Sequence, residues 1–105
     1  MSELSVADVL ERAADLIEPE GKWTQGKYGS HDSCMCAKGA IYHVGAWDER
    51  ADEALEAVYA ILPSTGIISD RLVAWNDAPE RTQAEVVAKL REAAALARAK
   101  APTHV

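Results

Sequence analysis

The stretch Cys34-Met35-Cys36-Ala37-Lys38-Gly39-Ala40 carries the residue types in this chain best suited to chemistry. A thiol in the first turn of a helix has its pKa lowered by the positive helix end and becomes a nucleophilic thiolate near neutral pH. Such a sulfur needs a base. His43 lies along the same expected helix, about 10 Å from Cys36 at ~1.5 Å per residue, beyond hydrogen-bond reach. His31, ahead of the helix, is the better base, with Gln25 and Asn76 as amides to orient it or hold an oxyanion. That constellation of Cys36, His31, Gln25 and Asn76 would make a hydrolase or transferase.

The same stretch offers metal ligands in His31-x-x-Cys34-x-Cys36, completed by His43 or Asp32. On a helix, however, the two sulfurs point about 200° apart, and Cys36 and His43 are too distant to share one ion. The paired Cys-x2-Cys or His-x3-His spacings of a zinc site are absent. Only a non-helical turn from Cys34 to Cys36 would restore a small metal-binding module, and no metal and no cofactor is expected. A third reading needs neither. Free cysteine usually behaves as a small buried hydrophobe, and Cys36, Gly39 and Ala40 together would let a neighbouring helix or a Trp ring approach closely. Gly39 inside a helix costs about 1 kcal/mol relative to Ala, which implies a compensating contact. This structural reading is favoured, and no catalytic residue is assigned.

Helical periodicity supplies the elements that must position these residues. Ser5 precedes a run in which Val6, Val9, Leu10, Ala13, Ala14, Leu16 and Ile17 share one face, so a capped helix is expected from Val6 to Ile17. Pro19 and Gly21 end it, and the polar segment to Ser33 is no helix, though Lys22 to Gly26 can be extended with Trp23 as its anchor. Ser33 caps an expected second helix from Cys34 to about Ala46, with Cys36, Ala37, Ala40, Ile41 and Val44 inward. Asp48 caps a third, burying Ala51, Ala54, Leu55, Val58, Tyr59, Ile61 and Leu62 and presenting the carboxylates of Glu49, Asp52, Glu53 and Glu56 before Pro63 stops it.

A short helical piece is expected from Asp70 to Trp75. Asn76-Asp77-Ala78-Pro79 then reads as a corner in which Asn76 and Asp77 bond their own downstream backbone while Trp75 packs underneath. Thr82-Gln83-Ala84-Glu85 is a capping box for a long last helix burying Val86, Val87, Leu90, Ala93, Ala94 and Ala97, with Glu85 and Lys89 as an i,i+4 pair. Should the Trp23 and Trp75 segments meet near Cys36, they would line the default ligand pocket. The fold class is all-α: one domain over residues 1–105, of four or five helices ending in a long capped one.

A chain of 105 residues buries roughly two thirds of its unfolded surface without a staple. Apolar residues make up 49% but include no Phe, so the three Trp and three Tyr are expected to supply the bulky core packing. A net charge of -6 argues against nucleic acid or an anionic membrane as partner, since both need a basic face. With no leader-like opening and no apolar run long enough to span a bilayer, a cytosolic protein is expected. Cysteines one residue apart make a poor disulfide.

Ala7-Asp8-Val9-Leu10 with Ala13-Ala14, Trp23-Thr24-Gln25-Gly26, Cys36-Ala37-Lys38-Gly39-Ala40, Trp75-Asn76-Asp77-Ala78-Pro79 and Arg81-Thr82-Gln83 follow one another in this order. In this the chain resembles a small uncharacterised domain family of actinobacteria and the phages that infect them. The resemblance spans nearly the whole chain and supplies no activity. It implies a phage or prophage accessory protein, or a bacterial relative of one. Cys36 matches the family's characteristic cysteine and Cys34 falls at a variable position, which tells against a paired-thiol mechanism.

The function expected is therefore non-enzymatic: an acidic cytosolic domain that binds a host or phage protein through its helices. Tyr42 and Trp47 are the expected aromatic anchors of that interface or of a homo-oligomer, and the carboxylates of Glu49, Asp52, Glu53 and Glu56 the face toward a basic partner. Trp23, Trp75, Asp77, Thr82 and Glu85 are expected to be structural.

Overall fold

The computed structural model describes residues 4–26, 29, 33–46, 49–62 and 71–100, and among them five helices follow in order. They are α1 (Val6–Ile17), α2 (Ala37–Gly45), α3 (Glu49–Tyr59), α4 (Arg71–Asn76) and α5 (Gln83–Lys100). The fold is all-α, with two isolated bridges and no longer extended pairing among the described residues. No described helix is long and apolar enough to cross a membrane.

Local chemistry starts α1 and α5 in the same way. Ser5 Oγ accepts from the Asp8 N–H at 3.0 Å and Asp8 Oδ2 accepts from the Ser5 N–H at 3.3 Å, closing a capping box. At α5, Thr82 Oγ1 accepts from the Glu85 N–H at 3.2 Å and Glu85 Oε1 from the Thr82 N–H at 2.9 Å. That backbone hydrogen bond holds the Glu85 carboxyl below the usual carboxylate range, so the cap is complete at neutral pH and is lost as pH falls through that lowered value. Glu85 also pairs with Arg81 at 3.6 Å while Lys89 turns to Glu92 at 3.1 Å, in place of the expected Glu85–Lys89 pair. Arg81 reaches Glu85 from the turn before α5, where it is already held by the Trp75 carbonyl at 2.9 Å.

The long helix α5 lies along α1, and the two form the largest contact among the described helices. Ala13 and Ala14 of α1 and Ala93 and Ala94 of α5 are buried, the small side chains that permit close packing. At the edge of this contact, Arg91 reaches Glu11 at 2.7 Å, Asp15 at 2.9 Å and Glu18 at 2.9 Å. Gln83 closes the other open end. Its Nε2 lies 2.6 Å from the Ile17 carbonyl, 3.2 Å from that of Glu18 and 2.9 Å from that of Pro19, serving the carbonyls at and just past the C-terminal end of α1. Gln83→Ala is expected to cost about 1 kcal/mol, a few degrees in Tm, by the usual worth of one such hydrogen-bonded cap; a thermal melt followed by circular dichroism measures it.

The core corrects one expectation. Its largest fully buried side chains are Leu10, Ile17, Ile41, Leu72, Leu90, Val9, Val58 and Val86, with Asn76 among them, whereas Trp23, Trp75, Tyr42 and Tyr59 are only partly buried against it. Alanines bring the helices close enough that aliphatic side chains fill the interior. The larger rings sit at its margin, where an indole N–H or phenol O–H can meet a polar partner. Near the α2–α3 corner the packing is at its limit: a Cβ built on Gly45 would lie 2.8 Å from Ala51 Cβ and 3.0 Å from Ala51 Cα. Ala46, just after, takes the left-handed conformation (φ 56) and donates its N–H to the Tyr42 and His43 carbonyls, ending α2.

Candidate functional site

Lys22, Trp23 and Thr24 run beside Met35. The Met35 N–H donates to the Lys22 carbonyl at 2.9 Å and the Thr24 N–H to the Met35 carbonyl at 3.1 Å, forming a parallel bridge between Trp23 and Met35. On the other side Gly29 bridges Met35 in antiparallel sense, with a positive φ of 79 and its Cα turned so that any Cβ would run into the Cys34 carbonyl. This pairing revises the start of α2. A helix beginning at Cys34 under a Ser33 cap would need helical backbone at Met35, which is instead paired in a bridge with Lys22 and Thr24. The helix therefore starts at Ala37 and Cys36 becomes its N-cap, with extended backbone (φ -81, ψ 173).

As N-cap, Cys36 accepts the Gly39 N–H on its Sγ at 3.4 Å. The residue is 2% exposed. Burial pushes its thiol pKa up; hydrogen bonds from the Gly39 and Lys38 backbone pull the other way, and the nearby Asp77 charge adds to the rise. The sulfur at this helix start is thus a protonated thiol at neutral pH, since desolvation outweighs the backbone donors that would stabilise a thiolate. Both thiols are free, and Cys34 is the more open of the two. Iodoacetamide near neutral pH is expected to label Cys34 and to reach Cys36 only in urea, as read by mass spectrometry of the peptides; rapid labelling of Cys36 in the folded protein would overturn this assignment.

Asn76, at the end of α4, is 0% exposed and uses both ends of its amide. Its Oδ1 accepts from Trp23 Nε1 at 2.7 Å and from the Ala37 N–H at 3.0 Å. Its Nδ2 donates to the Thr24 carbonyl at 3.0 Å and to Asp77 Oδ1 at 2.9 Å. Asp77 Oδ1 also accepts from the Gly26 N–H at 2.9 Å, and Gln25 Nε2 donates to the carbonyls of Asn76 at 3.0 Å and Ala78 at 2.8 Å. One amide thus ties the Trp23 segment, the first turn of α2 and the end of α4 to one another.

Two sequence readings change here. Asn76 and Asp77 do not bond their own downstream backbone; they bond across the molecule, because a fully buried amide has to satisfy its donors and acceptors and the Trp23–Gly26 backbone is what lies against it. The Trp23 and Trp75 segments do meet beside Cys36, where Asn76 and its partners occupy the junction, and no buried side-chain polar atom among the described residues lacks a hydrogen bond. Trp75 faces the other way, partly buried, with the Arg81 guanidinium stacked 4.1 Å from its ring centre.

Of the proposed catalytic set, Cys36, Gln25 and Asn76 gather at this junction, whereas His31 lies outside the described residues, as does Asp32. The Cys34–Cys36 stretch is not helical, which is the backbone condition the metal reading needed, but the Cys36 sulfur is enclosed and capping α2. Among the described residues no three His, Cys, Asp or Glu side chains stand close enough to hold a metal ion. Gly39 and Ala40 are buried on α2 as a small-residue face requires.

A family model described as "Family of unknown function (DUF6197)" matches residues 1–96. The chain belongs to DUF6197. No curated protein and no solved structure matches it.

On the DUF6197 chain, Tyr42 and the four expected carboxylates lie on the neighbouring helices α2 and α3. Glu49, Asp52, Glu53 and Glu56 are exposed along α3, and Tyr42 is half-buried on α2. The Tyr42 hydroxyl donates to Asp52 Oδ1 at 3.0 Å, Lys38 lies 5.8 Å from the Tyr42 ring centre, and Arg50 pairs with Glu53 at 3.4 Å. Trp47, the other expected anchor, falls outside the described residues, as does the Asp48 cap. Next to the carboxylates a groove of about 400 Å³ opens over Leu4, Val9, Val44 and Ala46, with Glu49, Arg50 and Glu53 along its wall.

Sequence reasoning missed Gly45, Gln83 and Arg91. Gln83 and Arg91 did carry a signal, a polar or charged residue near an otherwise alanine-rich helix, but their partners on α1 lie far away in sequence.

Proposed function

We propose that this DUF6197 domain is a non-enzymatic interaction protein of the phage or prophage accessory type, working in the host cytoplasm and binding a basic segment of another protein along α2 and α3. The observation that carries this reading is the exposed carboxylate row of Glu49, Asp52, Glu53 and Glu56 beside a groove of mixed polar and aliphatic lining. Charge on such a rim steers and selects a basic partner, while Leu4, Val44 and Ala46 in the groove offer aliphatic contact to its side-chain stems. The non-enzymatic half of the reading is supported by the residues best suited to chemistry. Cys36 caps a helix and Asn76 and Gln25 hold backbone, so each side chain already has a structural use. The acidic surface likewise favours a protein over nucleic acid or an anionic membrane, and self-association through the same face would leave four carboxylates per copy to repel.

The reading is tested by crosslinking the purified domain in a bacterial host lysate, identifying what it captures, and titrating the isolated partner. The double variant Glu49→Lys, Glu53→Lys is expected to weaken binding by about tenfold or more, that is ~1.4 kcal/mol, with the fold retained by circular dichroism at the binding temperature and with the wild-type affinity falling as salt rises. Capture of no specific protein, or equal binding by the variant, would refute it.

A further inference from the structure

We draw no further inference here: the strongest candidate, the groove between the end of α3 and α5 in which Trp75 lies among Ile61, Leu62, Arg81, Ala88 and Lys89, carries nothing because its charges are already paired and nothing in the structure shows what covers its apolar floor.

Discussion

Asn76→Ala is expected to lower stability by about 4 kcal/mol and Tm by roughly 20 °C, because it strands three buried or part-buried groups at ~1–3 kcal/mol each in a domain where 1 kcal/mol moves Tm by ~4–8 °C. The groups left without a partner are Trp23 Nε1 and the Thr24 carbonyl on one segment and the Ala37 N–H at the start of α2, all of which this one side chain holds at the end of α4. Asn76→Asp separates the two halves of the role. It keeps an acceptor for Trp23 and Ala37 but sets a carboxylate against the Thr24 carbonyl and Asp77, so its loss should be larger at pH 7 than at pH 4, where the new side chain is protonated and can donate. Urea unfolding of both variants at the two pH values measures this. A loss below about 1.5 kcal/mol for Asn76→Ala would mean that water replaces the amide and that the junction is open.

Gly45→Ala should also destabilise, by about 2 kcal/mol, although alanine is the better helix former by ~1 kcal/mol. The new methyl would meet Ala51 Cβ at 2.8 Å, its Cα at 3.0 Å and its N at 3.1 Å, and two of those three atoms are backbone that cannot swing aside. Relief therefore requires α3 to move off α2, loosening the corner that carries the carboxylate face. Ala51→Gly in the same chain removes the nearest atom and should recover part of the loss, giving a coupling of at least ~0.5 kcal/mol in a double-mutant cycle. Equal or raised stability of Gly45→Ala would show that the two helices are not in contact at this point.

The thiol adds an alkaline limit of its own. A Cys36 pKa raised in the fold above the ordinary 9.0 means that the unfolded chain gives up this proton first. The resulting stabilisation is complete below pH 9 and is lost as pH climbs through the raised value.

Helix existence and helix faces were legible in the residue pattern wherever neighbours in sequence decide them. Ser5 and Thr82 cap what their spacing to Asp8 and Glu85 says they cap, and the inward residues of α1 and α5 follow the 3.6-residue period, since these are interactions within a turn or two. The start of α2 was not legible, because Ser33 reads as a good local cap and the Met35 bridges to Trp23 and Gly29, which place the helix start at Ala37 instead, come from outside that stretch. The aromatic residues misled for a related reason. Absence of Phe implies that Trp and Tyr fill the centre only if the helices stand at ordinary separation, and alanine faces bring them closer.

The same division separates the candidate sites. Residue types and order alone established the small, acidic, all-helical character of the chain and drew attention to Cys36, Gln25, Asn76 and the α3 carboxylates, because charge and periodicity are properties of the chain itself. Whether Cys36 would be a nucleophile or a cap, and whether Asn76 would turn toward its own loop or into the core, depended on which segments arrive beside them across some forty to fifty residues of chain. Burial and hydrogen-bond partners are properties of that meeting. No local pattern encodes the desolvation that keeps the Cys36 sulfur protonated or the backbone carbonyl that takes the second proton of the Asn76 amide.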